Sequence, residues 1–216
     1  MWHISVETVL RDPAFFSLLL QVDLEALEFC HEEGCSHCGG RLDRGDYPRK
    51  PRGEPEGVPE GFSVRFSLCC SVDGCRRRLT PFSVRFLARR VYVGVAVLLV
   101  AAAMQGPSPA RVKRLSKSFG MAPRTARRWL EWWQTSFAES DLFRSLRGLL
   151  RRWAGPEQLP RCLLDAAQQE RPRDSALKVL ELLRPITSAT APGASLFEGA
   201  LLTRRGWRSG GARRGP

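Results

Sequence analysis

The 216-residue sequence predicts an α+β protein: a small β unit rich in cysteine, inserted in a mainly α-helical chain. Three observations carry that reading. Six of the seven cysteines fall between Cys30 and Cys75, mostly in close pairs around a stretch that alternates like a strand. Apolar residues recur at helical spacing on both sides of that stretch. Two further helical segments flank Gly120, in the manner of a tight helical hairpin.

The elements follow in chain order. Residues from about Val6 to Phe29 read as helix, with Asp12-Pro13 as a start signal and Phe16, Leu19, Leu20, Leu24 and Leu27 on one face. Residues 1–29 are therefore expected to be an N-terminal helical segment. Residues 30–85 are expected to form a four-cysteine unit. Within it a loop dense in Pro, Gly and charge (Asp46 to Gly61) precedes Phe62, Val64, Phe66 and Leu68, which alternate as one strand face. Val91 to Met104 is apolar throughout and reads as a buried helix, too short at 14 residues to span a bilayer, which needs about 20. Residues 86–135 then hold the helical hairpin. C-terminal helices are expected over 136–187, from the apolar spacings in Leu142 to Trp153, Gln158 to Glu170 and Ser175 to Leu183. Beyond them, 188–216 is Gly-, Ala-, Ser- and Arg-rich and reads as a disordered basic tail.

Composition limits the function classes. The 34 Lys and Arg against 22 Asp and Glu leave a net charge of +12. Such a surplus favours a polyanionic partner, because each neutralised phosphate releases condensed counterions. No basic, apolar, small-residue leader opens the sequence, so a cytoplasmic, nucleoid-associated location is expected and a membrane is not. In a reducing compartment, paired cysteines point to metal before disulfide.

The strongest motif is Cys35-Ser36-His37-Cys38-Gly39-Gly40 followed by Cys70-Ser71-Val72-Asp73-Gly74-Cys75. Two short cysteine loops separated by strand-forming sequence can bring four thiolates to one tetrahedral centre, the arrangement of a structural Zn²⁺ site in a zinc ribbon. Cys35, Cys38, Cys70 and Cys75 are the expected ligands. Cys69 competes with Cys70; the alternation through Phe66 and Leu68 favours Cys70. Cys30, His31 and His37 are spare donors, and Cys162 reads as a small core residue.

The second motif runs from Ala110 to Trp129. Leu115, Phe119, Met121, Ala126 and Trp129 fall where the helices of a helix-turn-helix pack on each other. Gly120 sits in the turn, and Pro123 in the first turn of the second helix. That helix would present Arg124, Thr125, Arg127 and Arg128 outward, with Arg111 and Lys113 on the preceding one. Arg suits bidentate contact with guanine edges and clamping of phosphates.

Taken together, residues 30 to 135 resemble the N-terminal region of bacterial insertion-element transposases and a group of zinc-ribbon proteins of mobile elements. The matching pieces are the Cys35–Gly39 and Cys70–Cys75 loops, Arg65, Arg76-Arg77-Arg78-Leu79-Thr80-Pro81, Arg89-Arg90-Val91-Tyr92 and Gly120–Trp129. The departures are the four residues inside the second cysteine loop and Ala122, where Ser or Thr often caps the second helix. The resemblance implies a zinc-stabilised DNA-binding accessory or remnant of a transposable element. Its partners would be double-stranded DNA and a transposase or recombinase encoded nearby, and the apolar helix faces also suit a homodimer. Catalysis is not expected. Roughly 80 residues follow Trp133, and Asp141, Asp165 and Asp174 do not follow strand-like runs as the metal-holding carboxylates of a strand-transfer domain would. A helix-turn-helix transcription regulator and an RNA-binding ribbon protein are the alternative readings.

Overall fold

Asp12 and Pro13 start the first long helix as their chemistry dictates. In the computed structural model, which describes residues 6–87, 92–105, 117, 121–150 and 153–188, a short helix α1 (Val6–Leu10) precedes helix α2 (Pro13–Glu33). The Asp12 side chain accepts a hydrogen bond from the Ala14 amide at 3.0 Å, which satisfies a helix donor with no intrahelical partner. Pro13 occupies the first turn, where its missing N–H costs nothing. The break at Arg11 and Asp12 divides the single N-terminal helix that periodicity suggests, and α2 runs four residues past Phe29, carrying Cys30 and His31 on its last turn.

Helix α2 serves two cores. Its N-terminal half buries Phe15, Phe16 and Leu19 in the helical body, where the Phe16 and Phe62 rings lie 5.3 Å apart. Its C-terminal half buries Leu27 and Cys30 against Leu42, Phe66, Leu68, Cys70 and Leu79 of the cysteine lobe. That lobe contains an antiparallel sheet in the order β1 (Leu42–Arg44), β4 (Leu68–Cys70), β5 (Arg78–Leu79) and a separate pair of β2 (Tyr47–Pro48) with β3 (Val64–Arg65). The expected strand from Phe62 to Leu68 is thus split. Ser67 turns its amide to Asp46 Oδ1 at 2.9 Å and its carbonyl to the Gly45 amide at 2.8 Å, which takes the chain from one sheet to the other.

Helix α3 (Gly94–Ala103) lies at the centre of the helical body, and every one of its ten residues is buried. It lacks any charge, which explains why it shows apolar residues all round rather than a stripe. At Gly94 a side chain would meet Leu180 Cδ2 and the Val84 carbonyl at 3.3 Å, so this helix end must be glycine to sit so close. Around α3 pack α4 (Pro123–Trp132), α6 (Arg161–Ala166) and α7 (Pro172–Leu182), with α5 (Asp141–Leu146) further along the chain. A π-helical turn at Trp133–Phe137 follows α4 directly and buries both its aromatic ends. Trp133 donates its indole N–H to the Val97 carbonyl at 3.4 Å. The expected helix from Leu142 to Trp153 is cut short by a 3₁₀ turn at Arg147–Leu149 around Gly148. Among the described residues no helix is long and apolar enough to cross a membrane.

The two lobes are joined by a buried ion pair. Asp23 on α2 and Arg85, just before α3, are 1% and 0% exposed. Asp23 Oδ2 accepts from Arg85 Nε at 2.7 Å and from the Ser83 hydroxyl at 2.5 Å, while Oδ1 accepts from the Val84 amide at 2.7 Å. Arg85 Nη1 donates to the Phe62 carbonyl at 2.5 Å, and the guanidinium lies 4.5 Å from the Phe66 ring centre and 5.0 Å from that of Phe86. Arg65, also buried, donates from Nη2 to the Pro81 carbonyl at 2.7 Å. Burial lowers its pKa, with Asp23 opposing that effect.

Removing one member of such a pair strands a charge in low dielectric, at about 3–5 kcal/mol, whereas replacing both by apolar groups can be neutral. Asp23→Asn is therefore expected to lower the urea unfolding free energy by about that amount. The double variant Asp23→Leu/Arg85→Met should recover most of the loss, and an unchanged unfolding midpoint in Asp23→Asn would contradict this role.

Candidate metal centre

The four cysteines picked out by their spacing converge. The Sγ atoms of Cys35, Cys38, Cys70 and Cys75 all lie within 4.8 Å of one another. Cys35 and Cys75 are 3.8 Å apart, and Cys38 and Cys70 are 3.5 Å apart. Both separations far exceed a disulfide bond of about 2.05 Å. They match a tetrahedron of sulfurs about 3.8 Å on edge, which metal–sulfur bonds of about 2.3 Å produce. The donor set and its dimensions fit one tetrahedrally coordinated metal ion.

Backbone geometry builds the cluster from two similar turns. In the first, the Cys35 amide donates to the Gly40 carbonyl at 2.9 Å and the Gly39 amide to the Cys35 carbonyl at 2.8 Å. Gly39 takes a φ of 69° there, a region glycine enters without steric cost. Gly40 is needed for space: a Cβ at that position would collide with Val72 and approach the sulfurs of Cys38 and Cys70 to 3.3 and 3.4 Å. In the second turn the Cys75 amide donates to the Val72 carbonyl at 3.1 Å. Gly74 inside this turn and Arg76 just after it both take positive φ.

Amide hydrogen bonds, burial and neighbouring thiols together shift the acidity of the sulfurs. The His37 and Cys38 amides both point at Cys35 and bring its pKa down to about 6. The Val72 amide acts in the same sense on Cys70, but burial and the surrounding thiols outweigh it and push that group up to about 12. Cys75 is also raised, against the pull of the Arg77 amide, by burial and its thiol neighbours. A bound cation would favour the thiolate form of all four, so loading releases protons.

Sheet register settles the rivalry of adjacent cysteines. Cys70 pairs with Leu42 and is fully buried, while Cys69 sits opposite Asp43 and Arg78 on the other face. Cys69 lies against the Arg76 carbonyl at 3.6 Å, outside the cluster. Among the spare donors, His31 and His37 are exposed. Cys30 is buried in the small core, which raises its pKa to about 11. Cys162 packs against the helical core, half-buried, and also lines an open groove with Gln105, Glu157, Arg161 and Asp165. Burial still pushes its thiol up to about 12.

The other group of expected site residues lies on α4. Arg124, Arg127 and Arg128 are exposed and Thr125 is half-buried, while Met121, Ala126 and Trp129 are buried beneath them. Among the described residues no carboxylate forms an ion pair with any of the three arginines. Ala122 precedes the helix without any side-chain cap. Arg111, Lys113 and the Gly120 turn lie outside the described residues. No family model, curated protein or solved structure matches the chain.

The geometry separates the two adjacent cysteines in a titration with Co²⁺, whose thiolate absorption reports sulfur ligands. Cys69→Ser should bind one equivalent with an unchanged spectrum and unfold within about 0.5 kcal/mol of the parent. Cys70→Ser should lose the four-sulfur spectrum. The opposite pattern would reassign the fourth ligand.

Proposed function

We propose that the protein binds double-stranded DNA through α4, the second helix of a helix-turn-helix, and that the cysteine lobe is a structural zinc ribbon. The single observation that carries the reading is the two-sided character of α4. One side packs Ala126 and Trp129 into the body, and the other leaves three arginines that form no ion pair among the described residues. A helix that presents guanidinium groups in this way suits the major groove, where Arg reads guanine O6 and N7 and clamps the flanking phosphates. The surplus of +12 favours the same partner.

Four cysteines in a closed tetrahedral set match zinc in a structural role, since no position is left for a reacting water. Sulfur chemistry alone also admits iron, so metal content of the purified protein decides between them. The placement in a transposable element rests on the resemblance of residues 30 to 135 to insertion-element transposases. In that setting the chain acts as an accessory or remnant that recognises DNA and leaves strand transfer to another protein.

Selection from a random duplex library, with single-stranded RNA as competitor, tests the reading. A recovered consensus that resists the RNA supports it; retention of RNA over duplex would favour an RNA-binding ribbon protein. On the selected site Arg127→Ala should weaken binding by about 1–3 kcal/mol and relax the preference at one base pair. Equal losses on selected and random duplex would count against base reading by this side chain.

A further inference from the structure

We propose that the loop Arg49–Gly53 of the cysteine lobe forms one continuous DNA-contacting surface with α4, Lys50 and Arg52 gripping phosphate at the flank of the groove that α4 enters. The inference rests on the DNA-binding reading of α4 and adds a second element to it. Three observations bring the loop to that place.

The loop is fixed at both ends. The Arg49 amide donates to the Ser63 carbonyl at 2.7 Å, and the Arg49 guanidinium lies 5.2 Å from the Phe86 ring centre. At the other end the Val93 amide donates to the Arg52 carbonyl at 3.0 Å, and Arg52 pairs with Tyr92 in a parallel bridge. Gly53, at a φ of 84°, lies so close to α3 that an added Cβ would be 3.3 Å from that of Ala96. A basic loop held in this way loses little conformational freedom on binding, which is the main cost such segments carry.

The loop is also next to α4. The Tyr92 ring packs edge-on against Trp129 of α4, with centroids 4.8 Å apart. Arg52 is therefore linked to the inner side of α4 through one strand spacing of about 4.8 Å and the side chains of Tyr92 and Trp129. A major groove is about 12 Å wide, with a phosphate rim on each side of an inserted helix. In the proposed surface the basic loop meets one such rim while α4 occupies the groove.

Finally, the charge is unspent. Lys50 and Arg52 are exposed, and among the described residues neither forms an ion pair. The nearest acid in sequence, Glu54, accepts a hydrogen bond from the Ser63 hydroxyl at 3.4 Å. On the same lobe Arg41, Arg44 and Arg76 each pair with an aspartate, while Arg77 and Arg78 are exposed and, like Lys50 and Arg52, form no ion pair among the described residues. Lys50 and Arg52 make contacts that do not read sequence, since phosphates are the same at every base pair.

The test uses the full chain, a random-sequence 30-base-pair duplex and the selected duplex. Lys50→Ala/Arg52→Ala should reduce the slope of log affinity against log salt by about 1.8, two phosphates' worth, on both duplexes. It should leave the base preference and the metal content at wild-type values and remove hydroxyl-radical protection on one flank of the selected site. Arg161→Ala/Arg171→Ala removes the same charge from other exposed positions and should leave slope and footprint unchanged. The inference is overturned if the loop variant behaves like that control while Arg127→Ala still impairs binding. A wild-type chain that binds neither duplex would instead overturn the DNA-binding reading itself.

Discussion

The architecture depends on one carboxylate. Asp23 holds Arg85, Ser83 and the Val84 amide at once, and through Arg85 it holds the Phe62 carbonyl. Those groups come from α2, from the end of the cysteine lobe and from the segment that leads into α3. The pair is not a source of net stability in the way an apolar contact is, because desolvating both ions offsets most of their attraction. Its effect is on position. A buried guanidinium accepts few geometries that satisfy it, so the chain entering α3 has one way to leave the lobe. The aromatic rings of Phe62, Phe66 and Phe86 around Arg85 restrict it further.

From that junction the cysteine lobe and the helical body take their relation. The C-terminal half of α2 is the floor of the cysteine lobe, and its N-terminal half is a wall of the helical body. Residues 184–188 close the same junction from the far end of the described chain. Thr187 accepts from the Ser83 amide at 3.0 Å, and the Ser188 hydroxyl bonds to the Thr80 carbonyl. The cysteine cluster and α4 are thus held by one framework, though no cysteine of the cluster belongs to the helical core.

Much of this was legible in the residues. Cysteine spacing identified all four clustered sulfurs, because short chelating loops leave few other ways to meet. The alternation through Phe66 and Leu68 placed Cys70 on the inner face, and the register agrees. Asp12-Pro13 and Pro123 marked helix starts for local reasons that the rest of the fold does not override. The Asp23–Arg85 pair was missed, since its partners lie 62 residues apart and both count as polar. A signal was present: Asp23 stands four residues after Leu19 and four before Leu27, on the apolar stripe of α2. The role of Gly40 was not legible: it supplies room between Val72 and two sulfurs. That depends on the opposite turn, which spacing alone does not place.

The positions of these contacts along the chain have a consequence for assembly. Cys35 and Cys75, 40 residues apart, lie inside the 62-residue loop that Asp23 and Arg85 close. One closure is nested in the other. When an ion gathers the four sulfurs, the outer loop closes over roughly two dozen residues in place of the whole segment, sparing on the order of 1 kcal/mol of chain entropy. The inner knot therefore favours the outer one, and the outer one sets the entrance to α3. With a metal bound at the four sulfurs, the helical body would depend on metal supply, although no cysteine of the cluster belongs to its core.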